Sequence, residues 1–294
     1  MQEGSSLGPW RFSGGAKPAG ASGQGAHFLC PGLTGGYAGS KIQPFPEMNE
    51  LYMKDEVKTM EVSKLRIEGI PAMLWGPASN RMILAAHGSH SSKIDDCIWV
   101  LAEEAVARGY QVLSFDFPQH GERVYEKDFI MPDQCAHELQ LLYRAASARA
   151  QEISLFGCSM GAYFELLALA EVPVARVWFL SPVTDMERII QNMMRERHVT
   201  EQELQEKVWI DHDIEPLYYP YYMYVKQHPI QSWPHSTHIL RGEHDTLCEY
   251  DAVARFAAQF GCELVEQKGG EHWFHTEEEL DFFRSWLRKS MEHA

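Results

Sequence analysis

Short apolar runs alternate with segments of helical periodicity from about residue 58 to the C-terminus. The runs are too short for helices and lack polar alternation, which is typical of strands buried on both faces of a parallel sheet. Between them, apolar residues recur three and four positions apart, as in helices that cover such a sheet. The predicted strands are Glu61–Gly69, Pro71–Trp75, Arg81–Ala86, Gln111–Phe115, Glu152–Phe156, Ala175–Leu180, Thr237–Leu240 and Glu263–Gln267. The predicted helices are Asp95–Arg108, Pro132–Ala150, Ala162–Ala170, Glu201–Trp209, Asp251–Phe260 and Thr276–Arg288.

This alternation predicts an α/β fold with a mostly parallel central sheet and helices on both of its faces. Ligands of such open sheets bind beyond the carboxyl ends of the strands. Functional residues are therefore expected in the loops that directly follow the predicted strands.

The first 47 residues differ from the rest of the chain. They contain 11 of the 22 glycines and show neither helical nor strand periodicity. Residues 1–47 are therefore predicted to be a flexible segment outside the core. They are either a disordered tail or an artefact upstream of a true start at Met48 or Met53. Residues 48–294 are enough for a single domain.

The most specific motif is Gly157-Cys158-Ser159-Met160-Gly161, which lies between a predicted strand and a predicted helix. A serine at such a sharp turn needs strained backbone angles to raise its hydroxyl above the sheet, and bulky neighbours would collide there. Gly157 and Gly161 satisfy that requirement. Ser159 is therefore the candidate nucleophile. We interpret the side chain of Cys158 as a packing residue.

A serine nucleophile needs a base, and the base needs an acid to orient it. After such a turn the acid comes next in the chain and the histidine last. Asp245 follows the strand Thr237–Leu240, and His272 follows the last strand, so both stand in that order. The alternatives that the sequence leaves open are Glu243, Glu249, Asp251 and Asp185 for the acid, and His275 and His244 for the base.

Hydrolysis of a carbonyl also needs donors for the oxyanion. The backbone N–H of Met160 directly follows the candidate nucleophile, and a second donor is expected from the loop after Arg81–Ala86. That loop reads His87-Gly88-Ser89-His90. Gly88 allows close approach of the backbone, Ser89 N–H is the expected donor, and His87 is expected to support the loop by hydrogen bonding.

Taken together, these segments resemble the α/β-hydrolase superfamily, and within it the serine-aminopeptidase-like (Hydrolase_4) group of esterase- and lipase-like serine hydrolases. The resemblance covers about residues 60–290. The motifs that carry it are HGSH at 87–90, DFPQHGER at 116–123, GCSMG at 157–161, RGEHD at 241–245 and GGEHWFH at 269–275. It implies a catalytic triad of Ser159, Asp245 and His272. One departure is Glu271, where glycine or alanine is common.

Residues 183–234 interrupt the alternation where this superfamily often carries a cap over its active site. Met186, Ile190 and Met194 lie on one face of a predicted helix, and tyrosines cluster between residues 218 and 224. These residues either form a lid that receives an acyl or aromatic group, or simply pack the cap onto the core.

Composition and charge exclude several other classes of function. The formal net charge is −15, which disfavours binding to nucleic acid or to an anionic membrane surface. No apolar run approaches the length of a membrane span, and no secretory signal is visible. The six scattered cysteines are expected to be reduced thiols in a cytoplasmic protein. The pairs His87/His90 and His272/His275 lack the pattern of a zinc helix, so we expect neither metal nor cofactor.

The sequence therefore predicts a serine hydrolase that cleaves small or medium carboxylic esters through an acyl-enzyme, with a small-molecule ester as its partner. One alternative is an aminopeptidase, amidase or acyltransferase with the same triad, because the predicted cap carries acidic residues that suit a substrate ammonium group. The other alternative is a ligand-binding protein without catalytic activity on the same fold. The oligomeric state is left open.

Overall fold

The computed structural model describes residues 60–127, 129–212 and 215–292. The predictions for residues 1–47 and for the start of the domain lie outside the described residues. Eight strands form one sheet, in which only β2 runs antiparallel to the rest. In chain order these are β1 (Val62–Ile67), β2 (Ile70–Trp75), β3 (Arg81–Ala86), β4 (Gln111–Phe115), β5 (Glu152–Cys158), β6 (Val177–Leu180), β9 (Thr237–Gly242) and β10 (Glu263–Gln267).

The spatial order of the sheet is β1-β2-β4-β3-β5-β6-β9-β10. Helices α1 (Asp96–Val106) and α8 (Glu277–Glu292) cover one face of it. Helices α2 (Pro132–Ser147), α3 (Met160–Ala168) and α7 (Tyr250–Phe260) cover the other. The predicted fold class is therefore confirmed. Within the described ranges, no helix has the length and apolar character needed to cross a membrane.

The segment between β6 and β9 contains additional elements. These are the helices α4 (Met186–Glu196), α5 (Glu201–Lys207) and α6 (Tyr219–Gln227), and a hairpin of β7 (Trp209–Ile210) and β8 (Leu217–Tyr218). Met186, Ile190 and Met194 of α4 are buried in the same apolar cluster as α2 and α3. The apolar face of α4 therefore packs on the core, which favours the packing interpretation for these three residues.

Most differences between the predicted and observed elements lie at their ends. Helix α3 begins at Met160, two residues earlier than predicted, because the turn at Ser159 leads directly into it. Helix α5 ends at Lys207, since Val208 has a positive φ of 64° and the chain then enters the hairpin. A capping box begins α8: Glu279 N donates to Thr276 Oγ1, and Thr276 N donates to Glu279 Oε2.

A buried ion pair joins the loop after β3 to the loop after β4. The Lys93 ammonium contacts the Asp116 carboxylate, and both side chains are almost fully buried. Lys93 N and Glu122 N also donate to Asp116, at 2.9 and 3.0 Å. A Cβ atom at Gly121 would lie 2.2 Å from Asp116 Oδ1, so this turn requires glycine. The pair fixes the loop that carries His87 and its neighbours against the rest of the sheet.

We predict that Lys93→Met lowers the free energy of unfolding by about 3–5 kcal/mol, because it leaves the buried Asp116 carboxylate without its counter-charge. Arg66→Met is the matched control, since it removes a cation from the exposed pair with Glu122. That variant should lose less than about 1 kcal/mol. Urea unfolding followed by tryptophan fluorescence measures both. Equal losses in the two variants would contradict the prediction.

Candidate active site

Ser159 occupies a strained turn between β5 and α3. Its backbone angles are φ 48° and ψ −115°, a left-handed conformation that L residues rarely adopt. A Cβ atom at Gly161 would lie 2.5 Å from His87 O, and one at Gly157 would lie 2.6 Å from Ala162 Cα. The two glycines therefore let neighbouring backbone approach the turn on both sides.

Behind this turn, Glu165 of α3 is completely buried. A Cβ atom at Gly157 would lie 2.8 Å from Glu165 Oε2, and no described residue forms a hydrogen bond with either carboxylate oxygen. Burial raises the pKa of Glu165 well above its ordinary value. Burial therefore favours the neutral, protonated form of this carboxyl behind the serine.

The loops after β9 and β10 are joined by backbone contacts that bring Asp245 and His272 together. The two strands are parallel neighbours, so their carboxyl ends meet at the same edge. His244 N donates to Gly270 O at 2.8 Å, and Glu243 N donates to Gln267 O at 2.9 Å. A Cβ atom at Gly242 would lie 2.3 Å from Gly270 O, so glycine is required where the two loops touch.

Ser159, His272 and Asp245 form a continuous chain of hydrogen bonds. Ser159 Oγ lies 2.9 Å from His272 Nε2, and His272 Nδ1 lies 2.8 Å from Asp245 Oδ2. The other carboxylate oxygen, Asp245 Oδ1, accepts the backbone N–H groups of Leu247 and Cys248. Asp245 is buried, and the side chain of His272 is 24% exposed. The imidazole thus lies between a fixed acceptor and the serine hydroxyl.

The competing acids and bases have other contacts. Glu243 accepts Gly269 N, Glu249 pairs with Arg188, and Asp185 caps α4. His275 is exposed, and its Nδ1 lies 2.7 Å from Trp273 O. Of the candidates that the sequence left open, the structure brings Asp245 and His272 to Ser159.

Arg241 holds the loop that carries Asp245, and the sequence did not predict this role. Its guanidinium is buried and donates to Asp245 O at 2.8 Å and to Cys248 O at 3.3 Å. It also contacts the Glu266 carboxylate on β10. The only signal in the sequence is an arginine at the end of a buried strand, a position where a charged residue is unusual unless it is paired.

The loop after β3 packs directly against the serine turn. A Cβ atom at Gly88 would lie 3.4 Å from Ser159 Cβ, so Gly88 permits this close approach. His87 Nδ1 lies 2.7 Å from Gly88 O, and Phe117 N donates to His87 Nε2 at 3.1 Å. His87 therefore connects this loop to the loop after β4. Met160, the other expected donor, begins α3 beside Ser159.

These two contacts require a neutral His87. Its Nδ1 donates a proton to a carbonyl while its Nε2 accepts from an amide, so the imidazole carries a single proton. Burial, with a smaller contribution from His120, lowers the pKa of His87 to about 3. The imidazole consequently stays uncharged and holds one tautomer at neutral pH.

One group of potential metal ligands occurs in the described part of the chain. Asp245, Cys248 and His272 each offer a ligand atom within 4.8 Å of the other two. Two of them are the hydrogen-bonded acid and histidine beside Ser159, so the group overlaps the serine site. Of the histidine pairs considered from the sequence, His87 is engaged as above and His90 pairs with Glu215.

No family model and no curated protein sequence matches this chain. Solved structures do. Est1E from Butyrivibrio proteoclasticus, determined with ferulic acid bound, aligns with a TM-score of 0.63 at 16% identity, covering 79% of this chain and 98% of that one. Mouse alpha/beta hydrolase domain-containing protein 10 aligns with a TM-score of 0.65 at 13% identity, covering 79% and 99%. The Pyrococcus furiosus esterase Pf2001 aligns with a TM-score of 0.58 at 19% identity, covering 80% and 91%.

These similarities, together with the strand order, show that the chain has the α/β-hydrolase fold. At such low identity they carry the fold alone, because this fold hosts many chemistries. The narrower Hydrolase_4 grouping stays a prediction.

We predict that the free energy of unfolding falls as the pH drops below about 6.5, by up to about 1.4 kcal/mol per pH unit from His87 alone. The unfolded chain protonates this imidazole below its ordinary pKa of 6.5, whereas the folded chain does so only near 3. The contribution of His87 to stability is therefore fully present above its pKa in the unfolded chain. It is lost as the pH falls toward its pKa in the folded chain. Urea unfolding at a series of pH values measures the slope.

His87→Gln should make this slope shallower, because glutamine keeps a hydrogen-bonding side chain but does not titrate. His228→Gln changes an exposed histidine and is the control that should leave the slope as in the wild type. Identical slopes in all three proteins would contradict a neutral buried His87.

Proposed function

We propose that this protein is a serine hydrolase that cleaves small or medium, uncharged carboxylic esters through an acyl-enzyme. The observation that carries the proposal is the hydrogen-bonded chain from Asp245 through His272 to Ser159 on a strained strand-to-helix turn. A serine hydroxyl is a poor nucleophile without a base, and this arrangement supplies both the base and the group that orients it.

In the proposed reaction, Ser159 Oγ attacks the ester carbonyl carbon while its proton moves to His272 Nε2. Asp245 Oδ2 accepts the Nδ1 proton of His272 in a hydrogen bond and stabilises the imidazolium. The backbone N–H groups of Met160 and Ser89 hold the oxyanion. The tetrahedral intermediate then expels the alcohol, which takes the proton from Nε2. Water repeats the sequence on the acyl-enzyme and releases the carboxylic acid.

A narrow crevice lies between α4 and the residues after Asp245. Val183 on its wall donates its backbone N–H to Ser159 O, so the crevice adjoins the serine turn. Its lining combines apolar side chains with the charged side chains of Arg188 and Glu249, which pair with each other. The proposed ester substrate therefore rests on the triad and not on the lining of this crevice.

The aminopeptidase alternative receives less support from the cap. It relies on acidic side chains that could bind a substrate ammonium group. Glu201 instead pairs with Lys226, Glu203 pairs with Lys207, and Asp211 accepts the backbone N–H of His212. Neighbouring groups of the cap already bind these carboxylates, which leaves them less suited to a substrate ammonium group. We therefore prefer the ester as substrate.

We expect Ser159→Ala to abolish both labelling by a fluorophosphonate and hydrolysis of p-nitrophenyl acetate. The hydrolysis rate should fall about 10⁴–10⁶-fold, because a triad without its nucleophile retains only residual activity. Mass spectrometry of the intact adduct and of its peptides measures the labelling. In the wild type it should find one phosphonyl group, on Ser159.

Ser285→Ala is the control, since this serine is exposed on α8 and donates only to Asp281 O. It should label and hydrolyse as the wild type does. A folded wild type that neither labels nor hydrolyses esters would overturn the proposal and favour a binding protein without catalytic activity.

A further inference from the structure

Glu215 connects the cap to the loop that carries the expected oxyanion donor. Ser89 Oγ donates to Glu215 Oε1 at 2.8 Å, and His90 Nε2 lies 2.8 Å from the same oxygen. Glu215 is separated from Ser89 by 126 positions in the chain. On the cap side, Arg197 donates to Glu215 O at 2.6 Å. One half-buried residue of the cap is therefore bound on both sides, by its carboxylate and by its carbonyl.

The loop that Glu215 contacts has a strained backbone. His90 has a φ of 56°, a left-handed conformation that is uncommon for a residue other than glycine. Its backbone N–H donates to His120 Nε2 at 3.2 Å, and His120 Nδ1 lies 2.8 Å from Pro118 O. Such a conformation persists only when surrounding contacts hold it. Within the described residues, Glu215 contacts the side chain of His90 and His120 contacts its backbone N–H.

Charges around the loop favour this arrangement. The hydrogen bond to Glu215 raises the pKa of His90, against the effect of burial. Burial alone would raise the pKa of Glu215, but the hydrogen bond and charge of His90 outweigh it, and the pKa lies below its ordinary value. Burial lowers the pKa of His120, so its Nε2 is free to accept the amide of His90. The His90 imidazole and the Glu215 carboxylate thus each favour the charged form of the other.

We propose that Glu215 is a positioning residue: it holds Ser89 and His90 so that the Ser89 N–H faces the reacting carbonyl only while the cap is seated. This inference rests on the proposed function, because Ser89 matters as an oxyanion donor only if Ser159 attacks a carbonyl. Glu215 does not act on the substrate. It acts through the loop, and it makes the alignment of the oxyanion donors depend on the position of the cap.

The test is steady-state hydrolysis of p-nitrophenyl acetate by Glu215→Gln. Glutamine has the same shape, but it lacks the charge that attracts His90. We expect kcat to fall about 10–100-fold with KM within about two-fold, because a lost or misplaced oxyanion donor costs about 10²–10³ in rate. The inhibition constant of a trifluoromethyl ketone, whose adduct with Ser159 carries an oxyanion, should rise by the same factor as kcat/KM falls.

Glu201→Gln is the matched control, because this cap carboxylate pairs with Lys226 and does not contact the loop. It should leave kcat, KM and the inhibition constant unchanged. Arg197→Met removes the other contact of Glu215 and should lower kcat in the same direction. Far-UV circular dichroism and the urea midpoint show whether each variant is folded, and a misfolded Glu215→Gln leaves the decision to Arg197→Met.

Three results would overturn the inference. One is a kcat of Glu215→Gln equal to that of the wild type. Another is a change in KM alone with an unchanged inhibition constant, which would make Glu215 a substrate contact. The third is a loss in Glu201→Gln equal to that in Glu215→Gln. Failure of the proposed function is distinct, since Ser159→Ala would then hydrolyse the ester as fast as the wild type.

Discussion

The left-handed backbone at Ser159 is the constraint on which the rest of the site depends. It ends β5 and begins α3 within one residue, so the hydroxyl stands above the sheet rather than within it. The turn is accommodated because glycines flank it, one against α3 and the other against the carbonyls that end β3. Because β3 and β5 are neighbouring parallel strands, the same contact brings the loop after β3 to the serine.

A second set of contacts supports the acid and the histidine without strain at either residue. Because β9 and β10 pair in parallel, the loops that follow them begin at the same edge of the sheet. Backbone hydrogen bonds between the two loops hold them together. The buried guanidinium of Arg241 then donates to Asp245 O and so holds the loop that carries the acid. The Glu266 carboxylate balances its charge. The positions of Asp245 and His272 thus depend mainly on backbone hydrogen bonds between strands and loops, and on one buried guanidinium.

Much of this could be predicted from the sequence, because the relevant signals are local. Each strand and helix shows in the pattern of its own consecutive residues, and the two glycines that flank Ser159 lie two positions from it. Position after a strand and order in the chain then made Asp245 and His272 the expected acid and base, with other residues of the same loops left open. The contacts of Lys93, Arg241 and Glu215 were missed for the opposite reason. Lys93 and Glu215 meet partners 23 and 126 positions away. Arg241 contacts a carbonyl four positions along only because the loop folds back. Of these three residues, Arg241 alone has a local signal, as a charged residue at the end of a buried strand, and that signal does not name its partners.

Strand β10 ends the sheet, and among the described residues it pairs with β9 alone. Such an edge presents unpaired backbone groups to any other strand. Here Glu263 and Glu266 are the more exposed residues of the strand, and they lie on opposite faces of the sheet because side chains alternate along a strand. Each contacts a partner on β9, Glu263 with His238 and Glu266 with Arg241. A second copy that added its β10 to this edge would place further carboxylates beside them, on chains that each carry a formal charge of −15. The edge that positions His272 therefore disfavours pairing with its own copy.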